Sequence, residues 1–560
     1  MKIDFKYIIA LAITLLSTTL MAQEDWELPS GEIEDAEVVI EKSKEITLPM
    51  AARRFGTIPL ETVERPNESF SYQIVDPDFE LEKVIFKVRP KTVKQEALQK
   101  FYAGTVNLGF GNYITPYIKA DLATKRSDEY AFNINARHLS SVNGPVDGSN
   151  SGAGQSNVGL GGKLFFNNAT LSGSLGYQRD TYHYYGYDQT QVVLADDIAQ
   201  SLNHIAAGVS IANNNVKNLF DYDLGVKAHI FSTKNGISEN EYAASLHVDN
   251  DITDNIKLNT KLTANFMMPG SGEASSFFYK RNLMGVKPIV SYREGLFGAA
   301  LGVGVFHENE NNPTLAVGSK WYVLPHVKGS LNLEGGHQLF AQVSGEVEKQ
   351  SIRDLYRQNN YMHSIHDVRN NIAPIKAHFG FEGNLNKQVG YAIGYQYSLY
   401  SRLGFFMNNQ TNDTTQFITV YDEGKVHVQN YYARLSLNNN TKYGLSLNAE
   451  GFSYQTVTIT EPWHKPKFKA TLYAYYLFMD KLRINTGLNV MTGIKALEPS
   501  SLESVVLNPI IDLNLKIDYS ITPRASVFLK SWNVLGKEYE VYLNYPVKGF
   551  QVLGGISYSF

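Results

Sequence analysis

The chain closes on Gly549-Phe550-Gln551-Val552-Leu553-Gly554-Gly555-Ile556-Ser557-Tyr558-Ser559-Phe560. Side chains on an extended backbone alternate between two faces. Phe550, Val552, Gly554, Ile556, Tyr558 and Phe560 therefore share one face, while Gln551, Leu553, Gly555, Ser557 and Ser559 share the other. An apolar face that ends on an aromatic residue, backed by a small and polar face, predicts a strand with lipid on one side and water on the other.

The same period of two runs back through the chain to about Tyr102. Leu339, Ala341 and Val343 interleave with Gln338, Phe340 and Gln342, and Glu346 and Glu348 follow on the same stretch. Ile511, Leu513, Leu515 and Ile517 interleave with Asp512, Asn514, Lys516 and Asp518. Leu482, Ile484 and Leu488 alternate with Arg483, Asn485 and Asn489. A soluble sandwich also alternates, because one face of each sheet meets solvent. The segments here are about 10 to 14 residues long, against roughly 5–6 in soluble sheets. Short turns such as Asn167-Asn168, Asp251–Asn255 and Asp480-Lys481 also alternate with long polar stretches such as Tyr182–Gln200, Lys349–Ile372 and Asn533–Lys548. A sheet in lipid cannot leave an edge unpaired, so it must close. The expected fold is all-β: a transmembrane antiparallel barrel over residues 102–560, even in strand number, with about 22 strands.

Composition agrees. Charged residues are 19% and aromatics 12% of 560 residues, with 35 Tyr and 29 Phe. No stretch beyond residue 22 holds the ~20 apolar residues that a membrane helix needs. The absence of Cys excludes disulfides, thiolate metal sites and Cys nucleophiles. A net charge of -4 leaves no basic footprint for nucleic acid.

At the other end, Lys2 and Lys6 precede the apolar run Tyr7–Leu16, and small residues lead to Ala22. This reads as a secretory signal over residues 1–22, cleaved before Gln23. Residues 23–101 form a Pro-punctuated lead with extended pieces such as Ser71-Tyr72-Gln73-Ile74 and Val84-Ile85-Phe86, expected either to occlude the lumen or to lie in the periplasm. Arg53-Arg54 is a basic pair within it. Export plus the alternating terminal strand predicts the outer membrane of a Gram-negative bacterium. The expected partners are its lipids, the barrel assembly machinery that reads Phe550, Val552, Ile556, Tyr558 and Phe560, and other outer-membrane or periplasmic proteins.

Asn533-Val534-Leu535, Tyr539, Tyr545-Pro546 and Gly549, followed by Ile556–Phe560, resemble the end of TonB-dependent receptors. Phe550 stands where that pattern usually has Arg. The resemblance implies a 22-strand barrel that passes a solute or polymer across the outer membrane without enzymatic activity. The lead is shorter than the plug of a full receptor, so the chain is similar to the short-plug or plug-less barrels of Bacteroidetes-type bacteria. Glu37-Val38-Val39-Ile40 is similar to a TonB box and equally to an ordinary strand. Three readings stay open: a conducting barrel, a non-conducting scaffold subunit of an outer-membrane assembly, and an energised receptor with a reduced plug.

Chemical motifs are few, and no cofactor is expected. His363, His366 and Asp367 are candidate metal ligands, but no helix sets their spacing and no distant ligand completes them, which favours solvated loop residues. His138 and His204 fall on strands without a recognisable Ser partner. The tyrosines at 182, 184, 185 and 187 and at 395, 397 and 400 suggest either ligand stacking or, preferably, an interfacial aromatic girdle.

Overall fold

The computed structural model describes residues 102–213, 220–270, 279–312, 317–364, 367–410, 415–439 and 442–560. The signal segment, Glu37–Ile40, Arg53-Arg54 and His366 lie outside them.

A single 22-stranded antiparallel sheet dominates, and it closes on itself. The first strand, Gly104–Gly111, pairs with the last, Gln551–Ser559, in a register from Thr105↔Ser559 to Gly111↔Leu553. Closure removes both edges, as lipid requires. Ala103 and Gly104 donate N–H bonds of 2.8 and 3.1 Å to the carbonyl of Phe560, so the terminal residue is part of the seam. Gly109 lies directly opposite Gly555 there. A methyl on Gly555 would meet the Leu108 carbonyl and the Phe528 ring, so the close approach of the two strands requires glycine.

The alternation sorts side chains as expected. Phe297, Leu301, Trp321, Val323 and Leu339 face outward and are exposed, as are Ile556, Tyr558 and Phe560. On a membrane barrel this exposed apolar band is the lipid-facing surface. Asp512, Asn514, Lys516 and Asp518 take the opposite, lumen face of their strand. Of the second tyrosine group, Tyr395 faces outward beside Tyr431, with ring centroids 4.9 Å apart, whereas Tyr400 turns inward and donates to Glu348 at 3.1 Å, so it is no part of a girdle.

The first hairpin is a tight turn over Asn112–Ile114 on the side that otherwise carries long loops. Tyr113 and Ile114 are both left-handed there, at φ 57° and 53°. That conformation is uncommon for a β-branched residue, and no Gly or Pro signals it, so the alternation of short and long connections conceals this turn.

Candidate functional site: the closed outer mouth

The long connections converge. They leave the rim between the fifth and sixth, the thirteenth and fourteenth, and the last two barrel strands, positions spread around the whole ring. Loops from such separated points touch only by crossing the opening.

The lower layer is ionic. The connection after His337–Glu348 carries a short helix, Ile352–Gln358, with a capping box between Ser351 and Asp354. Glu239 and Glu241 stand at the top of one strand; Glu308 and Glu310 stand at the top of another. All four are buried. Arg281 binds Glu239 at 3.0 Å and the Gln350 carbonyl at 2.8 Å, while the Ile352 N–H donates to Glu239 at 2.8 Å. Arg353 and Lys349 both reach Glu241, Arg353 at 3.0 Å. Arg402 binds Glu308 at 2.6 Å and Glu310 at 3.5 Å. Asn370 donates to the same Glu308 oxygen as Arg402, at 2.8 Å, and Tyr322 donates to the other, at 2.9 Å. Buried charges persist only when paired and hydrogen-bonded in this way. Burial alone would raise the Asp354 carboxyl, but Arg353, Lys349 and the bonds from Ser351 outweigh it and hold it well below the usual carboxylate range.

The upper layer is aromatic. Tyr182, Tyr184, Tyr185, Ile352, Leu355, Tyr356, Met362, Phe406, Phe417 and Tyr545 form one buried cluster. Tyr184 donates to the Met362 carbonyl at 2.9 Å, and Tyr185 donates to the Pro546 carbonyl at 3.1 Å. Tyr361 stacks on Tyr545. Tyr182, Tyr184 and Tyr185 are thus neither a girdle nor an open stacking surface: they glue loop to loop. Sequence reading missed this because the packing partners lie hundreds of residues away.

Beside the cluster, the hairpin Leu403–Asn408 with Phe417–Asp422 folds over the rim. The Asp422 carboxylate ties it to the next loop by accepting from the Val457 and Thr458 amides at 2.7 and 3.1 Å. His464 packs between Phe417 and Tyr542 and donates from Nδ1 to the Phe406 carbonyl at 2.9 Å. Burial lowers its pKa to about 4, so it sits there neutral.

Of the candidate metal motif, His363 and Asp367 lie in this packing, and His366 is outside the described residues. The His363 amide donates to the Phe417 carbonyl at 2.7 Å, and the Asp367 carboxylate lies 3.9 Å from Arg369. Among the described residues no group of three or more His, Cys, Asp or Glu is placed to hold a metal. His138 does have serine partners: its ring nitrogens contact Ser156 and Ser140 at 2.7 and 3.0 Å. With both nitrogens engaged by hydroxyls, no carboxylate orients the ring, and the flanking amides belong to the barrel ladder. A nucleophile activated by a base needs that third group and a free oxyanion donor. His204 pairs instead with His229 at 3.0 Å.

No family model matches the sequence, and no curated protein matches it. Solved structures do. The FrpB iron transporter of Neisseria meningitidis (F3-3 variant) superposes with a TM-score of 0.62 at 12% identity, covering 83% of this chain and 82% of that one. The siderophore receptor PiuA of Acinetobacter baumannii gives 0.58 at 9% identity, over 83% and 82% of the two chains. The ferric-catecholate import receptor Fiu of Escherichia coli K12 gives 0.58 at 9%, over 82% of each. In fold, the chain is similar to these iron and siderophore receptors: a closed antiparallel barrel of 22 strands.

Proposed function

We propose that the protein passes a solute or polymer across the outer membrane of a Gram-negative bacterium and that it is not an enzyme. The observation that carries this reading is the wide polar lumen of a 22-strand barrel beneath an outer mouth crossed by interlocked loops. Barrels of that size are plugged, whereas eight-stranded ones fill with their own side chains. A mouth crossed only by loops is a surface that captures ligand and then rearranges. We propose that residues 23–101, after removal of residues 1–22 on export, reduce conduction through the barrel. Phe550, Val552, Ile556, Tyr558 and Phe560 present the outward row that the assembly machinery reads.

The buried ion pairs at Glu239, Glu241 and Glu308 favour a second reading, a non-conducting scaffold, because they fix the loops rather than free them. Planar-bilayer conductance separates the two. The intact mature chain is expected to be closed, and a chain beginning near Tyr102 is expected to conduct. Equal conductance of both removes residues 23–101 from the barrier. Silence of both favours the scaffold. Deleting Glu37–Ile40 then tests dependence on the energising complex: unchanged uptake in cells rejects a TonB box there.

A further inference from the structure

Below the ionic layer the lumen wall holds a pocket of about 350 Å³, lined by Lys261, Lys287, Lys349, Glu346 and Glu348 among others. The charges do not cancel within it. Lys349 is committed to Glu241 and to Asp354, which lie outside the pocket lining. Glu346 and Glu348 share Lys376, at 3.3 and 2.5 Å, which leaves one carboxylate charge against the two remaining lysines. Lys261 and Lys287 are left, and among the described residues neither has an ion pair. They stand directly opposite each other on adjacent strands, Ile256–Pro269 and Arg281–Glu294. Like charges in that relationship repel. Lys328 adds a third ammonium from a neighbouring part of the wall, held 5.4 Å from the Phe340 ring rather than by a carboxylate.

One of the two ladders of the strand Arg281–Glu294 lacks two pairs at this point, with the register unchanged. The ladder between Arg281–Glu294 and Phe297–Asn312 runs to Val286↔Val305 and resumes at Ile289↔Gly302. Lys287 and Pro288 fall in the gap, and Pro288 has no N–H to close it. The facing strand carries Gly302 and Gly304 there, and the Ile289 side chain and the Phe306 ring lie over them. Two ammonium groups without a direct ion pair among the described residues and an interrupted ladder thus coincide at one pocket. Its volume lies in the range of small-molecule sites, roughly 300–1,000 Å³.

We infer that this pocket binds a small multivalent anion, one bearing two or more carboxylate or phosphate groups, with Lys261 and Lys287 bridging it. This deepens the transport reading by naming the charge class of the solute, and it rests on that reading only for the word solute. An anion between the two ammonium groups replaces their repulsion with two charge-assisted bonds.

The test is calorimetric titration of inorganic tripolyphosphate, and separately of citrate, into the full mature chain in neutral detergent at low salt. Saturable binding of at least one probe is expected, weakening as salt rises. Lys261→Gln/Lys287→Gln is expected to weaken it by about tenfold or more, and Lys261→Arg/Lys287→Arg to retain it. Heat-modifiable migration of each variant on gels reports that the barrel has closed. Absence of saturable binding to the wild type overturns the site, and so does equal binding by the Gln variant. If both probes bind and depend on the lysines while cells take up neither, the anion site stands and the transport reading falls.

Discussion

Tyr361 and Tyr545 stack face to face with ring centroids 3.5 Å apart and planes 20° from parallel. Tyr361 belongs to the loop that carries the rim helix; Tyr545 belongs to the last loop before the closing strand. Their contact is the point where loops from distant parts of the rim are joined over the opening. Tyr185 meets both, with centroids at 5.8 and 4.9 Å.

Removing either ring should loosen the cover without opening the barrel wall. Tyr361→Ala and Tyr545→Ala are each expected to speed proteolytic cleavage in the 349–370 and 533–550 connections, with heat-modifiable migration unchanged. A double-mutant cycle should return a coupling of about 0.5–1.5 kcal/mol, the range for aromatic pairs. Additive effects would mean that the two loops close independently.

The ionic layer should respond more sharply. Arg402→Met leaves Glu308 and Glu310 buried without their shared guanidinium. Breaking such a pair costs about 3–5 kcal/mol. Thermal unfolding of the purified barrel should therefore shift down clearly. Arg402→Met combined with Glu308→Gln should recover part of the loss, since it removes the orphaned charge. By contrast, Lys257→Ala, which breaks the exposed pair with Asp251, should leave the transition where it was.

His464 makes the cover pH-sensitive. Its folded pKa of about 4 lies below the ordinary 6.5, so the open form binds the proton more readily than the closed one. Its contribution is complete above about pH 6.5 and is lost as pH falls toward about 4. Hydrogen exchange at the Leu543 amide, which points at His464 Nε2, should accelerate across that interval. In His464→Gln the acceleration should disappear; if it persists, another group is titrating.

The seam should be the most fragile part of assembly. Deleting Phe560 removes an outward aromatic residue together with the carbonyl that receives the Ala103 and Gly104 amides. Gly555→Ala places a methyl against the Leu108 carbonyl. Both variants are expected to lower the amount of heat-modifiable barrel in outer-membrane fractions. Normal levels of the Phe560 deletion would count against the terminal strand as an assembly signal.

The barrel was legible in the sequence because lipid and water impose a rule on every strand. Each residue from Leu339 to Val343, or from Ile511 to Ile517, faces one solvent or the other, so period and turn spacing carry the architecture. Chain ends on one side of the membrane, which let the first and last strands pair antiparallel, then make the strand number even. The mouth obeys no such local rule. Tyr185 and Tyr545, or Glu308 and Arg402, are placed together only because a closed ring brings their loops over one opening. The same ring sets Lys261 against Lys287 through strand register, which a single residue of slip would have sent to lipid. Sequence by itself therefore determined the wall and its two solvents. The tertiary structure alone decided what crosses the wall's outer end and which charges inside it, among the described residues, have no ion pair, because pairing of loops and lumen charges is a property of the closed ring and of no segment within it.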